Sequence, residues 1–303
     1  MAAKRANALL EGAIDLHVHT KPSARIRIAD SRELIEAASK VGMRAVLFKD
    51  HDRSTVPDAH HANTVGTPVT AFGAVCLNAP VGGLNPAAAE AALRMGAKAV
   101  FLPTDSAHND DQFWTRKLGG PAERAAAVGE HERQFTLAID ALDENGRVVP
   151  EIASVIDLCA GADAIVCTGH LSTPEVSAVI DECVARGARV VVTHAPMFTE
   201  AAPDVLAKWA AAGAILELVA VACCGHLPEP VRQTYAAQAA LIDEVGASAF
   251  TLSSDLGQIG NPTPAEGLAL FVEGLLGEGI SEDDIAVMTR VNAARALGLG
   301  EAS

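Results

Sequence analysis

The sequence predicts an α/β fold, a (β/α)8 TIM-like barrel with an insertion between strands four and five. Three observations carry that prediction. Eight short runs rich in apolar and β-branched residues occur in order, at 13–18, 45–48, 69–77, 97–102, 164–168, 189–193, 214–222 and 248–253. A helical pattern follows each run, and such alternation builds a parallel sheet covered by helices. Eight is also the number of strands that closes a barrel. No repeat or low-complexity linker divides the 303 residues, so 1–303 reads as one domain.

The helix boundaries are legible. Asp30 and Glu33 form a capping box ahead of Leu34, Ile35, Ala38 and Val41, and Gly42 ends that helix. Asn85-Pro86 opens a helix over 87–95 as cap and first helical residue, with Gly96 as terminator. Ser172, Pro174 and Glu175 open another, whose apolar face Val176, Val179, Ile180 and Cys183 ends near Gly187. One interval breaks the rhythm, since Thr104 to His170 is more than twice the span from His19 to Lys49. The excess, about residues 105–150, reads as an insertion. Within it 136–140, the turn Asp143-Glu144-Asn145-Gly146 and 147–149 suggest a β-hairpin. It follows strand four on the side where barrel active sites lie, which leaves a lid and a decorative surface hairpin as open readings.

Composition narrows the partners. The chain is 50% hydrophobic and 4% aromatic with a mean hydropathy of +0.22, which suits tight helix-on-sheet packing and argues against disorder. A net charge of -15 argues against nucleic acid or an anionic membrane, because both demand a basic face. A small-molecule substrate is the expected partner, and a homo-oligomer is compatible with the sequence. The apolar start is cut at Glu11 before it reaches the length of a signal-peptide core, and the later segment 214–224 is broken by Glu217 and too short for a bilayer span. Six cysteines without an export signal read as reduced thiols, so the expected location is cytoplasmic.

The strongest chemical signal is Asp15-Leu16-His17-Val18-His19-Thr20 at the end of strand one. Alternate strand residues face the same way, so His17 and His19 both point into the barrel mouth, where two imidazoles can share a metal. Polar residues recur at other strand ends: Thr168-Gly169-His170 on the fifth, Thr193-His194 on the sixth and Ser253-Ser254-Asp255 on the eighth. In a parallel barrel those ends converge. Arg25 and Arg27, after strand one, either hold a substrate carboxylate or phosphate or form surface salt bridges to Asp30 or Asp52. Glu217, inside strand seven, either faces the mouth or is a buried acid behind the ligands. His60, His61 and His108 read as solvated, and Cys223, Cys224 and His226 as lining of the loop after strand seven.

These motifs, with the closing Val291-Asn292-Ala293-Ala294-Arg295-Ala296-Leu297-Gly298-Leu299, resemble the amidohydrolase superfamily over nearly the whole chain. The first half also resembles the polymerase-and-histidinol-phosphatase (PHP) phosphoesterases, through Asp15 to Thr20, Gly42-Met43-Arg44-Ala45-Val46 and Lys49-Asp50-His51-Asp52. Closer still, Lys49-Asp50-His51, Phe72-Gly73 through Leu77-Asn78, Gly82-Gly83-Leu84-Asn85-Pro86 and Thr168-Gly169-His170-Leu171-Ser172 look like an uncharacterised amidohydrolase-like family. The resemblance implies one or two divalent ions, zinc first, with Mn, Fe, Co and Ni also suited to imidazole and carboxylate ligands. It implies His17, His19 and Asp255 on one ion and His170 and His194 on a second, with Asp255 also taking the proton of the metal-activated water.

Two departures stand out. Strand four ends Phe101-Leu102-Pro103-Thr104-Asp105, without the lysine or glutamate that bridges paired metals in such enzymes. Lys49 is the candidate bridge, as a carbamate, with binding of a substrate anion or a solvent-exposed position as alternatives. Strand three ends Cys76-Leu77-Asn78, without the glutamate of the third PHP motif, which weakens the phosphoesterase reading. The implied activity is metal-dependent hydrolysis of an amide-type C–N bond, cyclic amides and lactones included. The implied substrate is small, an anionic one fitting Arg25 and Arg27, with His51 as a further substrate-binding residue. Phosphomonoester hydrolysis, metal-dependent decarboxylation and a non-catalytic ligand-binding barrel are the alternatives.

Overall fold

The computed structural model describes residues 7–127, 137–225 and 227–300. Among them, eight parallel strands stand side by side in sequence order: β1 (Ile14–His19), β2 (Ala45–Lys49), β3 (Thr70–Cys76), β4 (Ala97–Phe101), β5 (Ile165–Cys167), β6 (Arg189–Val192), β7 (Ile215–Val219) and β8 (Phe250–Ser253). The sheet closes where β8 returns to β1. There the Asp255 amide donates to the His17 carbonyl at 2.8 Å and the His19 amide donates to the Leu256 carbonyl at 2.9 Å. The fold is a (β/α)8 barrel, as the eight runs predict, with strand ends displaced by small amounts. The largest displacement is at β7. Its predicted tail forms a 3-10 turn, Ala220–Cys223, because the Val221 amide turns to the Ser254 carbonyl at 3.0 Å instead of continuing the ladder.

The helices are α1 (Ser31–Lys40), α2 (Val56–Asn63), α3 (Pro86–Arg94), α4 (His108–Leu118), α5 (Pro121–Ala127), α6 (Pro150–Gly161), α7 (Thr173–Arg186), α8 (Pro203–Ala211), α9 (Tyr235–Val245), α10 (Pro264–Gly277), α11 (Glu282–Ala286) and α12 (Asn292–Leu297). The predicted caps form. Asp30 Oδ1 accepts from the Arg32 and Glu33 amides at 3.0 and 2.9 Å while Glu33 accepts from the Asp30 amide at 2.8 Å. Asn85 caps α3, and Ser172 with Glu175 forms the capping box of α7. No described helix is long and apolar enough to cross a membrane.

Two apolar layers hold the barrel. Outward strand residues such as Val46 and Phe48 pack with Leu34 and Ile35 of α1. Inward residues, including Ile14, Leu16, Leu47, Phe101, Ile165 and Val191, fill the lumen, and Ala293, Ala296 and Leu297 of α12 plug its lower end. Strict alternation along β1 would then turn His17 away from the lumen that Ile14 and Leu16 occupy. The register between β1 and β2 slips between Asp15 and Val18, so one extra residue of β1 is accommodated there. That bulge rephases the strand: Ile14 and Leu16 stay in the core, Val18 joins the outer layer, and His17 contacts the ring of the lumenal Phe101.

The insertion differs from its prediction. It contains two helices, α4 and α5, and the hairpin is reduced to a single bridge between Leu142 and Val148. The predicted first arm, 136–140, pairs elsewhere, Ile139 with Ala107, and Thr136 lies outside the described residues. The turn itself forms, with Gly146 at φ +74° and Asp143 Oδ1 accepting from the Asn145 and Arg147 amides, both at 2.9 Å. Those side-chain bonds, with Glu175 accepting the Ala141 amide at 2.7 Å, engage the backbone that a longer ladder would use.

Candidate metal centre and active site

The loops that carry the polar strand ends are held in conformations few residues adopt. His194 and Asp255 have φ of +44° and +51°, left-handed backbone that costs a non-glycine residue of order 1–3 kcal/mol and concentrates at functional sites. Gly169, at φ +62°, lies so close to β4 that a Cβ there would meet the carbonyl oxygens of Pro103 and Leu102. Only glycine lets the following His170 amide reach the Pro103 carbonyl at 3.0 Å.

The result is a buried cluster. The Asp255 carboxylate lies 3.3 Å from His17 Nε2, 2.9 Å from His19 Nε2 and 3.0 Å from His194 Nε2. His17, His194 and Asp255 each place a ligand atom within 4.8 Å of the others. The opposite ring nitrogens are tied to oxygens: His17 Nδ1 to Glu217 at 3.3 Å, His19 Nδ1 to the Lys49 carbonyl at 3.0 Å and His170 Nδ1 to Asp110 at 2.6 Å. An acceptor on Nδ1 places the proton there and leaves the Nε2 lone pair facing the mouth, the usual support of a metal-binding histidine. Nε2 of His17, His170 and His194 is buried without a hydrogen-bond partner. These donors fit a divalent ion, and His17, His19, His194 and Asp255 would hold it. His170 lies one ring away, 5.2 Å from His194 between centroids, and stacks on Phe198.

Burial dictates the charge states. Desolvation, with neighbouring cations behind it, keeps His19 and His170 well below the usual imidazole range, so their imidazoles are neutral. Burial alone would raise the Asp255 and Glu217 carboxyls, but the imidazoles beside them hold both down, Asp255 far down. Asp15, sealed behind the cluster, accepts from the His17 and Ser254 amides at 3.0 Å each, and desolvation pushes its carboxyl up to about 7.

A family profile matches residues 12–217, a span from just before β1 into β7. The chain belongs to a family of unknown function (DUF6282). No curated protein matches it. Among solved structures, this DUF6282 chain is similar to an amidohydrolase from Pseudomonas aeruginosa, with a TM-score of 0.63, 14% identity and 98% of each chain covered. It is also similar to 2,6-dihydroxybenzoate decarboxylase from Rhizobium (TM-score 0.54, 13% identity, 95% of this chain and 99% of that one). A third is organophosphorus hydrolase from Deinococcus radiodurans (TM-score 0.54, 14% identity, 96% of this chain and 94% of that one). At these identities the likeness establishes the shared barrel fold and leaves the reaction to be argued from the site.

Around the cluster, the DUF6282 barrel places Lys49 at the end of β2 with no exposure, so the solvent-exposed alternative does not hold. Its Nζ lies 3.0 Å from His51 Nδ1 and 5.6 Å above the Phe101 ring, and burial lowers its ammonium to about 8. His51 stacks on His19 and approaches Asp105 at 3.0 Å and Thr104 at 2.9 Å. Arg25 pairs with Asp105, and Arg27 Nη2 lies 3.4 Å from His19 Nδ1. The side chain of Arg25 is 9% exposed and Arg27 is buried, so neither stands at the surface where a solvated salt bridge was the alternative. His60 and His61 are exposed on α2, and His108 is 42% exposed beside Asp140. Cys223 and Cys224 are half-buried after β7, while His226 lies outside the described residues.

Several site residues escaped the sequence reading. Asp110 orients His170, and Asn109 donates to the carbonyls of His170 and Phe198 at 2.9 and 3.1 Å. Both belong to the face of α4 that also buries Phe113 and Trp114. The spacing Asn109, Asp110, Phe113, Trp114 was the available signal, an i, i+4 face just after strand four. Asn78 donates to Thr104 Oγ1 at 2.8 Å and accepts from its amide at 2.8 Å, joining the ends of β3 and β4 where the PHP glutamate is absent.

Proposed function

We propose that this protein is a metal-dependent hydrolase of the amidohydrolase superfamily that cleaves an amide-type C–N bond, cyclic amides and lactones included, in a small anionic substrate. The observation that carries the reading is the set of buried imidazoles whose Nδ1 atoms are tied to oxygens and whose Nε2 atoms face one carboxylate. A divalent ion held there would supply a water acidic enough to attack near neutral pH and would polarise the scissile carbonyl. His17, His19, His194 and Asp255 hold the ion, and His170 belongs to a second position or to the rim. Glu217 fixes the ring of His17 and, through the His194 amide at 3.2 Å, the turn that presents His194.

Asp255 is placed to take the proton of the attacking water and return it to the leaving group, since its two oxygens already span His19 and His194. Lys49 and His51 face the same mouth from β2, and Lys49 either bridges two ions as a carbamate or meets a substrate anion. Arg25 and Arg27 line the entrance together with Trp114 and Arg124, which belong to the insertion. Zinc heads the suited ions, followed by Mn, Fe, Co and Ni.

The test is turnover of a panel of amides, lactones, phosphomonoesters and carboxylic acids before chelation, after chelation and after adding back each ion. Loss and recovery of amide or lactone hydrolysis is the expected result. Phosphate release alone, carbon dioxide release alone, or undiminished activity in metal-free protein would each overturn it.

A further inference from the structure

His170 follows β5 and lines the same mouth as the cluster, yet it is held on different terms. The Asp255 carboxylate contacts His17, His19 and His194, and among the described residues His170 is not one of its partners. The His170 ring lies flat on Phe198 instead, 3.7 Å between centroids with the planes 9° apart. Helix α4 fixes the rest of the residue: Asn109 Nδ2 donates to the His170 carbonyl at 2.9 Å, and Asp110 Oδ1 meets Nδ1 at 2.6 Å. With one edge tied to Asp110 and one face covered by Phe198, the ring has one orientation, and a swing toward Asp255 would break both contacts.

The same contacts decide the tautomer. Asp110 Oδ1 also accepts the indole N–H of Trp114 at 3.2 Å, so that oxygen is an acceptor and the shared proton belongs to His170 Nδ1. Nε2 therefore carries a lone pair. It is buried without a hydrogen-bond partner, in a residue only 4% exposed, and the pocket lining that His170 shares with Trp114, Met197 and Phe198 is otherwise apolar there. A bare buried acceptor is costly, so this wall selects a ligand that brings a donor on an apolar body. The position also suits the chemistry next to it. The ring centroids of His170 and His194 are 5.2 Å apart, and in an amide the N–H nitrogen is bonded directly to the carbonyl carbon. An amide N–H on His170 thus brings its carbonyl beside the cluster. We propose that His170 is a substrate-binding residue outside the metal's ligand set, whose Nε2 accepts the N–H of an apolar-bodied secondary or cyclic amide. The site then prefers N–H amides to lactones of the same shape. This deepens the reading of the site as a hydrolase centre and rests on it.

The experiment is calorimetric titration of the full chain, metal-loaded and chelator-treated, with isoindolinone, N-methylisoindolinone and phthalide, alongside metal content. The three probes share one apolar body and present N–H, N–CH3 or a ring oxygen at the same position. Isoindolinone is expected to bind about tenfold tighter than either of the others, in both preparations, because His170 and not the ion supplies the preference. His170→Leu is expected to abolish that preference while leaving bound metal unchanged, and His170→Gln, whose side-chain oxygen reaches the place of Nε2, to recover part of it. A merely structural role for His170 would weaken all three probes alike. Equal binding of isoindolinone and phthalide, no binding of any probe, a preference that survives His170→Leu, or bound metal lost in that variant each overturns the proposal. If the protein takes up no ion yet discriminates the probes through His170, the hydrolase reading fails and the donor-binding site stands. If it takes up the ion and hydrolyses amides and lactones with no such preference, the hydrolase reading stands and this proposal fails.

Discussion

The two ends of this barrel are built on opposite terms. At the lower end α12 seals the lumen with Ala293, Ala296 and Leu297, and its polar groups are matched: Asn292 Nδ2 donates to the Ala247 and Phe250 carbonyls at 3.1 and 2.6 Å, and Arg189 Nε donates to the Ala296 carbonyl at 2.8 Å. At the upper end buried nitrogens of His17, His170 and His194 lack hydrogen-bond partners, and two members of the cluster, His194 and Asp255, have left-handed backbone. An unsatisfied buried donor or acceptor costs about 1–3 kcal/mol, so the mouth is a region where stability is given up for a ligand while the floor supplies it. Substitutions at the two ends should therefore separate function from folding.

The largest effect is expected at the mouth. Asp255→Asn should lower kcat by about 10²–10⁴-fold, because an amide cannot accept the proton, while the melting temperature stays near the parent value and part of the metal is retained. Wild-type turnover would remove Asp255 from catalysis. At the floor, Leu297→Ala should cost about 2–5 kcal/mol of unfolding free energy in denaturant melts, with kcat of the folded protein unchanged. A fall in kcat without a fall in stability would reverse the assignment of the two ends.

Lys49→Ala sharpens the picture of the mouth. We expect activity to fall at least tenfold, and metal content sorts the cause. Loss of metal together with activity, partly rescued by short-chain acids, assigns Lys49 as a bridge. Retained metal with a raised KM assigns it to a substrate anion. Unchanged metal and kinetics would exclude both.

The smallest effect is at the lower rim, where Asp163 accepts from Lys98 and Arg189 and its carboxyl is lowered to about 2 by those hydrogen bonds. A depressed carboxyl contributes stability above its unfolded value near 3.8, and that contribution is lost as pH falls from about 4 to about 2. Asp163 is 61% exposed, so solvent screening limits the term to at most about 1 kcal/mol, and Asp163→Asn should show a slightly flatter acid limb in melts against pH. An effect of several kcal/mol would contradict this account of the rim.

The fold was legible because period and punctuation agree: apolar runs at the strands, and Asp30, Asn85 and Ser172 at helix starts. That His17, His19, His170, His194 and Asp255 meet in one mouth was legible because strand order decides which ends meet, whereas the grouping of His194 with His17 and Asp255, in place of the expected pairing with His170, was not. The bulge in β1 was hidden, since Ile14, Leu16 and Val18 keep an unbroken apolar alternation in the sequence through the extra residue. Asp110 was hidden for another reason. It reaches the neighbouring strand end from an insertion helix that packs by tertiary contact, and no local pattern names the partner of a side chain sixty residues away, as Asp110 is from His170.

The most direct test is the metal content of protein purified without added ions, measured together with thermal melts. The account predicts at least one divalent ion per chain, and a melting temperature that falls on chelation and recovers on reloading. Saturation at a hundredfold excess over Kd stabilises by about 2.7 kcal/mol. It further predicts that His17→Ala and His194→Ala lose the ion while Leu297→Ala keeps it. Wild-type protein that carries no ion, takes none up when supplied and melts identically with and without it would contradict the central claim.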